Sequence, residues 1–321
     1  MHKDKGNNYF SNSLIKGLKY LLLGFTIYFV GKTLISHMSQ IHWRELKLLT
    51  RFVFLSVLFE IGTRFLTGIS YNLLLKFAGT PLPLKISISV SWISLLGKYL
   101  PGKIALVASS IYLLKRYKVP SAVAGIVPVL FTLITIIVAL ALSIPLLFSH
   151  KSQVIVKMNY NVIVVLVLVI FLLFNLKYFF SILNSIFRRF GILETDINFS
   201  FLQVVACFGL ICLQFLFAGI STWMVSRSVC PVDLSILPRI ISITAFSGVM
   251  GLLAFFSPAG IGVRDGIYFI TLGRMIGYEN ASLIVIILRL IQTMIDLGTA
   301  GVGALIIYRQ KKNDKYKEPP P

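Results

Sequence analysis

Eight charged side chains lie within stretches of sequence otherwise apolar enough to cross a bilayer. They are Glu60, Arg64, Lys98, Lys103, Arg264, Asp265, Arg289 and Asp296. An ionised group near the bilayer centre costs at least about 2.5–3.5 kcal/mol on insertion scales, so each must be paired, hold a ligand or reach an interface. Glu60 and Arg64 stand four residues apart, the spacing of a local ion pair on one helix face. Arg289 and Asp296 stand seven apart and share a face. Arg264 and Asp265 follow a glycine-rich break, where a helix start and its amides favour an anion. Five bases against three acids leave a positive surplus inside the bundle, which suits an anionic ligand such as a phosphate group. The bland alternative is that the charges lock helices together and that Lys98 and Lys103 snorkel to an interface.

Other chemistry has little support. Cys207, Cys212 and Cys230 form no C-x-x-C pair and are expected to pack among helices. His2, His37, His42 and His150 fall in tails or loops, and no Asp-x-Asp pattern occurs. No catalytic residue, metal ligand or cofactor is assigned.

The rest of the chain is built to cross membranes. It is 57% hydrophobic and only 13% charged, against about a quarter charged in a soluble domain. Six apolar segments, roughly 18–37, 51–75, 121–148, 160–180, 200–226 and 281–308, reach the ~20 residues of a helical span. The first is longer than a signal-peptide core and is read as an uncleaved anchor. The expected organisation is a tail over 1–17, one transmembrane domain over 18–308 and a basic tail over 309–321. The net charge of +20 is read as loop and tail bias, and nucleic acid is not an expected partner.

Two regions, 86–114 and 240–277, are interrupted by residues that break helices. In the first the break is Pro101 and Gly102; in the second it is Pro258, Gly260 and Gly262. Non-helical backbone at membrane depth survives only inside protein or along a cavity, so both regions read as broken helices or re-entrant hairpins. The breaks also resemble each other at an offset of 157: Leu95-Leu96 and Pro101 match Leu252-Leu253 and Pro258. The predicted fold is therefore all-α, with six full spans and two hairpins in an inverted repeat of about 18–150 and 159–308. It would be counted as about eight transmembrane segments. With both termini cytoplasmic, the segments placed inside carry 17 Lys and Arg against 9 outside. That bias favours the hairpin arrangement.

Tyr99-Leu100-Pro101-Gly102 with Lys103, and then Pro258-Ala259-Gly260-Ile261-Gly262-Val263-Arg264-Asp265, resemble two motifs of one family. It is the transmembrane region of lysylphosphatidylglycerol synthases, often called flippase-like. Its second motif usually reads P-x-G-[IL]-G-x-[RL]-E, and here Asp265 stands in place of Glu. The helix bearing Arg289 fits the same pattern, and the resemblance spans nearly the whole chain. Fused members add a soluble aminoacyltransferase domain. This sequence shows none, so the resemblance implies the translocating half. The expected function is movement of an anionic phospholipid, or a polyprenyl-phosphate-linked glycolipid, between leaflets of the cell inner or plasma membrane. Alternatives are a glycosyltransferase-like enzyme acting on a polyprenyl lipid, or an accessory subunit of envelope polysaccharide or lipid synthesis. The expected partner is a lipid with a phosphate head group. Envelope-biosynthesis enzymes and self-association are left open.

Overall fold

The computed structural model describes residues 49–100, 104–147, 185, 201–254 and 257–315. The chain divides into two compact units, Met1–Glu45 and Leu46–Pro321, and only the second contains described residues. The expected spans 18–37 and 160–180, together with Pro101, Gly102 and Lys103, lie outside them.

Every regular element among the described residues is helical. In order they are α1 (Thr50–Phe77), α2 (Leu84–Leu95), α3 (Ile104–Lys115), α4 (Ser121–Leu147), α5 (Phe201–Val229), α6 (Leu237–Leu253), α7 (Val263–Ile276) and α8 (Tyr278–Lys315). Backbone amides in hydrocarbon have no water to bond, so the apolar runs close their hydrogen bonds along the helix. Five stretches are long and apolar enough to span: Thr50–Phe77, Ser121–Ile144, Leu202–Val229, Leu234–Leu253 and Tyr278–Gln310. Four coincide with expected spans. The fifth is the first arm of the second broken region, which the sequence places among arms mostly shorter than a span. A 3-10 turn at Leu234–Ile236 and a proline in the first turn of α6 carry that arm upstream of residue 240.

The helices do stop at both breaks. After α2 the chain tightens into a 3-10 turn, Leu96–Tyr99, and resumes as α3 at Ile104. After α6 it forms a 3-10 turn, Pro258–Gly260, and resumes as α7 at Val263. Here Ala259, Gly260 and Gly262 have φ of 51°, 69° and 84°. Glycine takes this left-handed backbone freely, but Ala259 is held there at a cost of order 1–3 kcal/mol. In each region the arms pack on one another, α2 with α3 and α6 with α7, and the two 3-10 turns touch.

The element order thus runs long helix, short arm, break, short arm, long helix twice over. Packing is reciprocal: α2 lies on α8 and α6 lies on α4, while α1 and α5 form the most extensive pair. One apolar core gathers Tyr71, Leu75, Val90, Leu114, Leu130 and Ile211. A second gathers Val225, Ile243, Leu272, Ile284, Leu288 and Ile295. Polar side chains tie α1 to α5, with Gln214 donating to Ser70 Oγ at 3.1 Å and Ser221 to the Ser56 carbonyl at 3.1 Å.

Small residues set the closest approaches. A Cβ on Gly68 would stand 3.1 Å from Ile88 Cα, joining α1 to α2. One on Gly219 would stand 3.0 Å from Ile241 Cα, joining α5 to α6 in the same way. Of the three glycines in α8, Gly303 lies at a close approach, its Cβ position being 3.0 Å from the Ser89 carbonyl. Gly298 and Gly301 meet nothing within 4 Å. Gly219→Val is therefore expected to cost about 1–3 kcal/mol by overpacking, and Gly298→Val less than about 0.5 kcal/mol. Thermal unfolding in detergent measures both, and equal losses would mean that the Gly219 contact does not hold α5 to α6.

Candidate functional site

The charged residues come from both halves of the described helices. α1 contributes Glu60 and Arg64, the first break Lys98 and Tyr99, the second break and α7 Arg264 and Asp265, and α8 Arg289 and Asp296. Each sits where a helix interior or a tight turn fixes its backbone.

Asp296 is the centre of the larger cluster and is only 1% exposed. Its Oδ2 accepts from Tyr99 Oη at 2.7 Å and lies 2.5 Å from Lys98 Nζ. Its Oδ1 lies 2.7 Å from Arg64 Nε. That last contact is a charge contact rather than an aligned hydrogen bond, for neither atom has a bond of acceptable geometry. Arg64 Nη2 also donates to Glu60 Oε1 at 2.9 Å, the i,i+4 pair expected from spacing. Trp92 pins the same turn of α1 by donating to the Arg64 carbonyl at 2.9 Å. Two acids and two bases thus neutralise one another, and one oxygen of Glu60, Oε2, is buried without a hydrogen-bond partner.

The second cluster is smaller. Arg289 Nη2 donates to Asp265 Oδ2 at 2.7 Å, and Nη1 reaches the carbonyl of strained Ala259 at 3.5 Å. The same Asp265 oxygen accepts from the Gly262 amide at 3.1 Å. The carboxylate thereby caps the start of α7, where an anion is favoured. A shorter acid still spans from α7 to α8. Arg289 and Asp296 share α8 but serve different clusters, two helical turns apart.

Arg264 remains. No carboxylate among the described residues comes within 4.0 Å of its guanidinium. Its carbon Cζ lies 5.7 Å from the Tyr268 ring centroid, one turn along α7, within the range of a cation–π contact. Its stem packs against α6, where a Cβ on Gly251 would meet Arg264 Cβ at 3.3 Å. Arg264 Nε and Tyr268 Oη are both buried without a hydrogen-bond partner. Four bases and three acids occur among the described charges of the bundle, and the unpaired one is Arg264.

Tyr99, Trp92, Tyr268 and Gly251 are site residues that charge spacing alone does not single out. Tyr99 falls in the first motif, while the other three have no local signal beyond their type. Lys103 is not among the described residues.

These pairings separate two kinds of substitution. Asp296→Asn leaves Arg64 and Lys98 buried beside a neutral amide and should destabilise by about 3–5 kcal/mol. Arg264→Ala strips no acid of its partner and should cost about 1 kcal/mol or less. Thermal unfolding in detergent compares them. A larger loss for Arg264→Ala would mean that it neutralises an acid after all.

None of the curated proteins matches the chain. The family model described as lysylphosphatidylglycerol synthase TM region matches residues 17–298, which include every charged residue of both clusters. Its apolar helices and this match make the protein a membrane protein, and the chain belongs to the lysylphosphatidylglycerol synthase TM-region family.

Proposed function

We propose that the protein is a lipid translocase, which carries an anionic phospholipid or a polyprenyl-phosphate-linked glycolipid from one leaflet to the other. The observation that carries this reading is the unpaired Arg264. Each of the three acids among the described residues of the bundle is engaged by another base, so among those residues the surplus charge falls on Arg264 at a broken helix. An arginine offers a phosphate two parallel donors, and a partner found only in the ligand repays its desolvation. The acids hold the remaining bases in place: Asp296 fixes Arg64 and Lys98, and Asp265 fixes Arg289. Lipid tails would remain in the bilayer while the head group passes between the two breaks.

The arrangement proposed for the membrane is an inverted repeat with both termini cytoplasmic. The reciprocal packing of α2 on α8 and α6 on α4, together with the charge bias, supports it. Broken helices meeting within inverted repeats are a recurring transporter plan. Single cysteines at Arg116 and Arg189, with Cys207, Cys212 and Cys230 replaced, are expected to resist an impermeant thiol reagent applied to intact cells. Labelling of either from outside would overturn this topology.

Function is tested in proteoliposomes by leaflet exchange of labelled phospholipid and of labelled polyprenyl-phosphate glycolipid. Arg264→Ala should abolish exchange. Arg264→Lys should retain part of it, since the charge survives but the two-pronged donor does not. Arg264→Ala/Asp296→Asn should not recover it, because Asp296 is held by other bases. Recovery in the double variant would make Arg264 structural. A covalently changed lipid product would instead favour the transferase alternative, and wild-type protein that moves neither lipid alone would favour an accessory subunit.

A further inference from the structure

Tyr268 is 3% exposed, and its hydroxyl has no hydrogen-bond partner. That is an expensive way to keep a tyrosine. A buried polar group left unbonded loses its hydration and gains nothing, and native proteins carry few of them. Phenylalanine would fill the same space among Ile243, Leu272 and Ile284 without that penalty. The hydroxyl shares a helix face with Arg264, four residues earlier, whose Nε is equally unbonded and whose cation lies over the Tyr268 ring. One neutral donor and one cationic donor therefore stand side by side at the start of α7. The phenol oxygen is not aligned to accept from the guanidinium beside it, and an anion with more than one oxygen satisfies both donors at once.

We propose that Tyr268 and Arg264 form a two-residue phosphate subsite, in which the guanidinium supplies charge and the phenol supplies a second, neutral hydrogen bond to another oxygen of the same phosphate. This rests on the translocase reading for its location but adds a specific ligand group and a residue that touches it. The aromatic ring also holds the guanidinium from below, so the ligand meets a donor whose orientation is already fixed. A phosphate ester fits because one oxygen can accept from each donor. Its source is either a lipid head group or free phosphate.

Tyr268→Phe tests the idea because its two effects have opposite signs. Removing an unbonded buried hydroxyl should raise the melting temperature of ligand-free protein in detergent. Losing a donor to a charged oxygen should weaken phosphate binding about tenfold. Binding is read as the melting shift produced by phosphatidylglycerol in mixed micelles, by diacylglycerol as a phosphate-free control, and by inorganic phosphate. A phosphatidylglycerol shift that diacylglycerol and inorganic phosphate do not reproduce assigns the subsite to a lipid head group. An equal shift with inorganic phosphate assigns it to free phosphate. In either case the shift must shrink in both Tyr268→Phe and Arg264→Ala. The proposal is overturned if neither phosphate source shifts the parent protein, or if Tyr268→Phe binds within twofold of the parent. It is equally overturned if Tyr268→Phe melts lower without ligand, since the hydroxyl would then be bonded inside the protein. Leaflet exchange separates the two readings. Phosphatidylglycerol binding that depends on both residues, with no exchange by the parent protein, would retain the subsite and remove the translocase. Exchange lost in Arg264→Ala but intact in Tyr268→Phe would do the reverse.

Discussion

The carboxylate of Asp296 is the interaction on which the interior depends. It sits almost wholly buried in α8 and is met by Arg64 from α1 and by Lys98 and Tyr99 from the first break. In a low-dielectric interior, any one of these charges without the others would be expelled or neutralised. Together they fix three elements that apolar contact alone would leave free to slide, because hydrocarbon tails are as apolar as leucine. The first break is thereby anchored to α8 on one side while its arm α2 packs on the same helix. The second break is anchored to α8 by Arg289, through Asp265 and the Ala259 carbonyl. One long helix thus carries two ionic clamps, each closed on a different break.

Strain and charge are coupled at the second break. Ala259 is held in a left-handed conformation that few side-chain-bearing residues adopt. Its carbonyl faces Arg289, and the carboxylate that orients Arg289 also caps the next helix at Gly262. The turn is therefore held by two neighbours, Arg289 and Asp265, as a strained segment requires. Gly260 is needed for contact as well as conformation, Gly262 for conformation alone. A Cβ on Gly260 would come within 2.9 Å of Gly251 Cα, so α6 can approach the turn only if Gly260 lacks a side chain.

Much of this was legible in the sequence. Four expected spans, both helix breaks and the Glu60–Arg64 pair follow from hydropathy, proline and glycine placement, and i,i+4 spacing. Those are local signals. What spacing does not contain is which distant charge meets which. Arg289 and Asp296 share a face, yet Arg289 turns to Asp265 and Asp296 to Arg64 and Lys98, because the breaks bring those groups across from other segments. Tyr268, Trp92 and Gly251 escape for the same reason: an aromatic or a glycine in an apolar run has no local mark of its role. The length of the α6 arm has no such signal either, because a 3-10 turn extends it without an apolar period.

The Asp296 cluster also has a consequence for the order of synthesis. Lys98 and Tyr99 are made about 200 residues before the acid that receives them, 197 in the case of Tyr99. At roughly 5–20 residues per second, that is an interval of about 10–40 s. During it Arg64 has Glu60 beside it on its own helix, but the Lys98 ammonium has no such acid and must keep water or lipid head groups. The first break therefore cannot settle at its final depth until α8 arrives. Assembly of the interior becomes a late, nearly simultaneous event, and a chain interrupted before α8 would leave its first half with a basic residue stranded at the membrane.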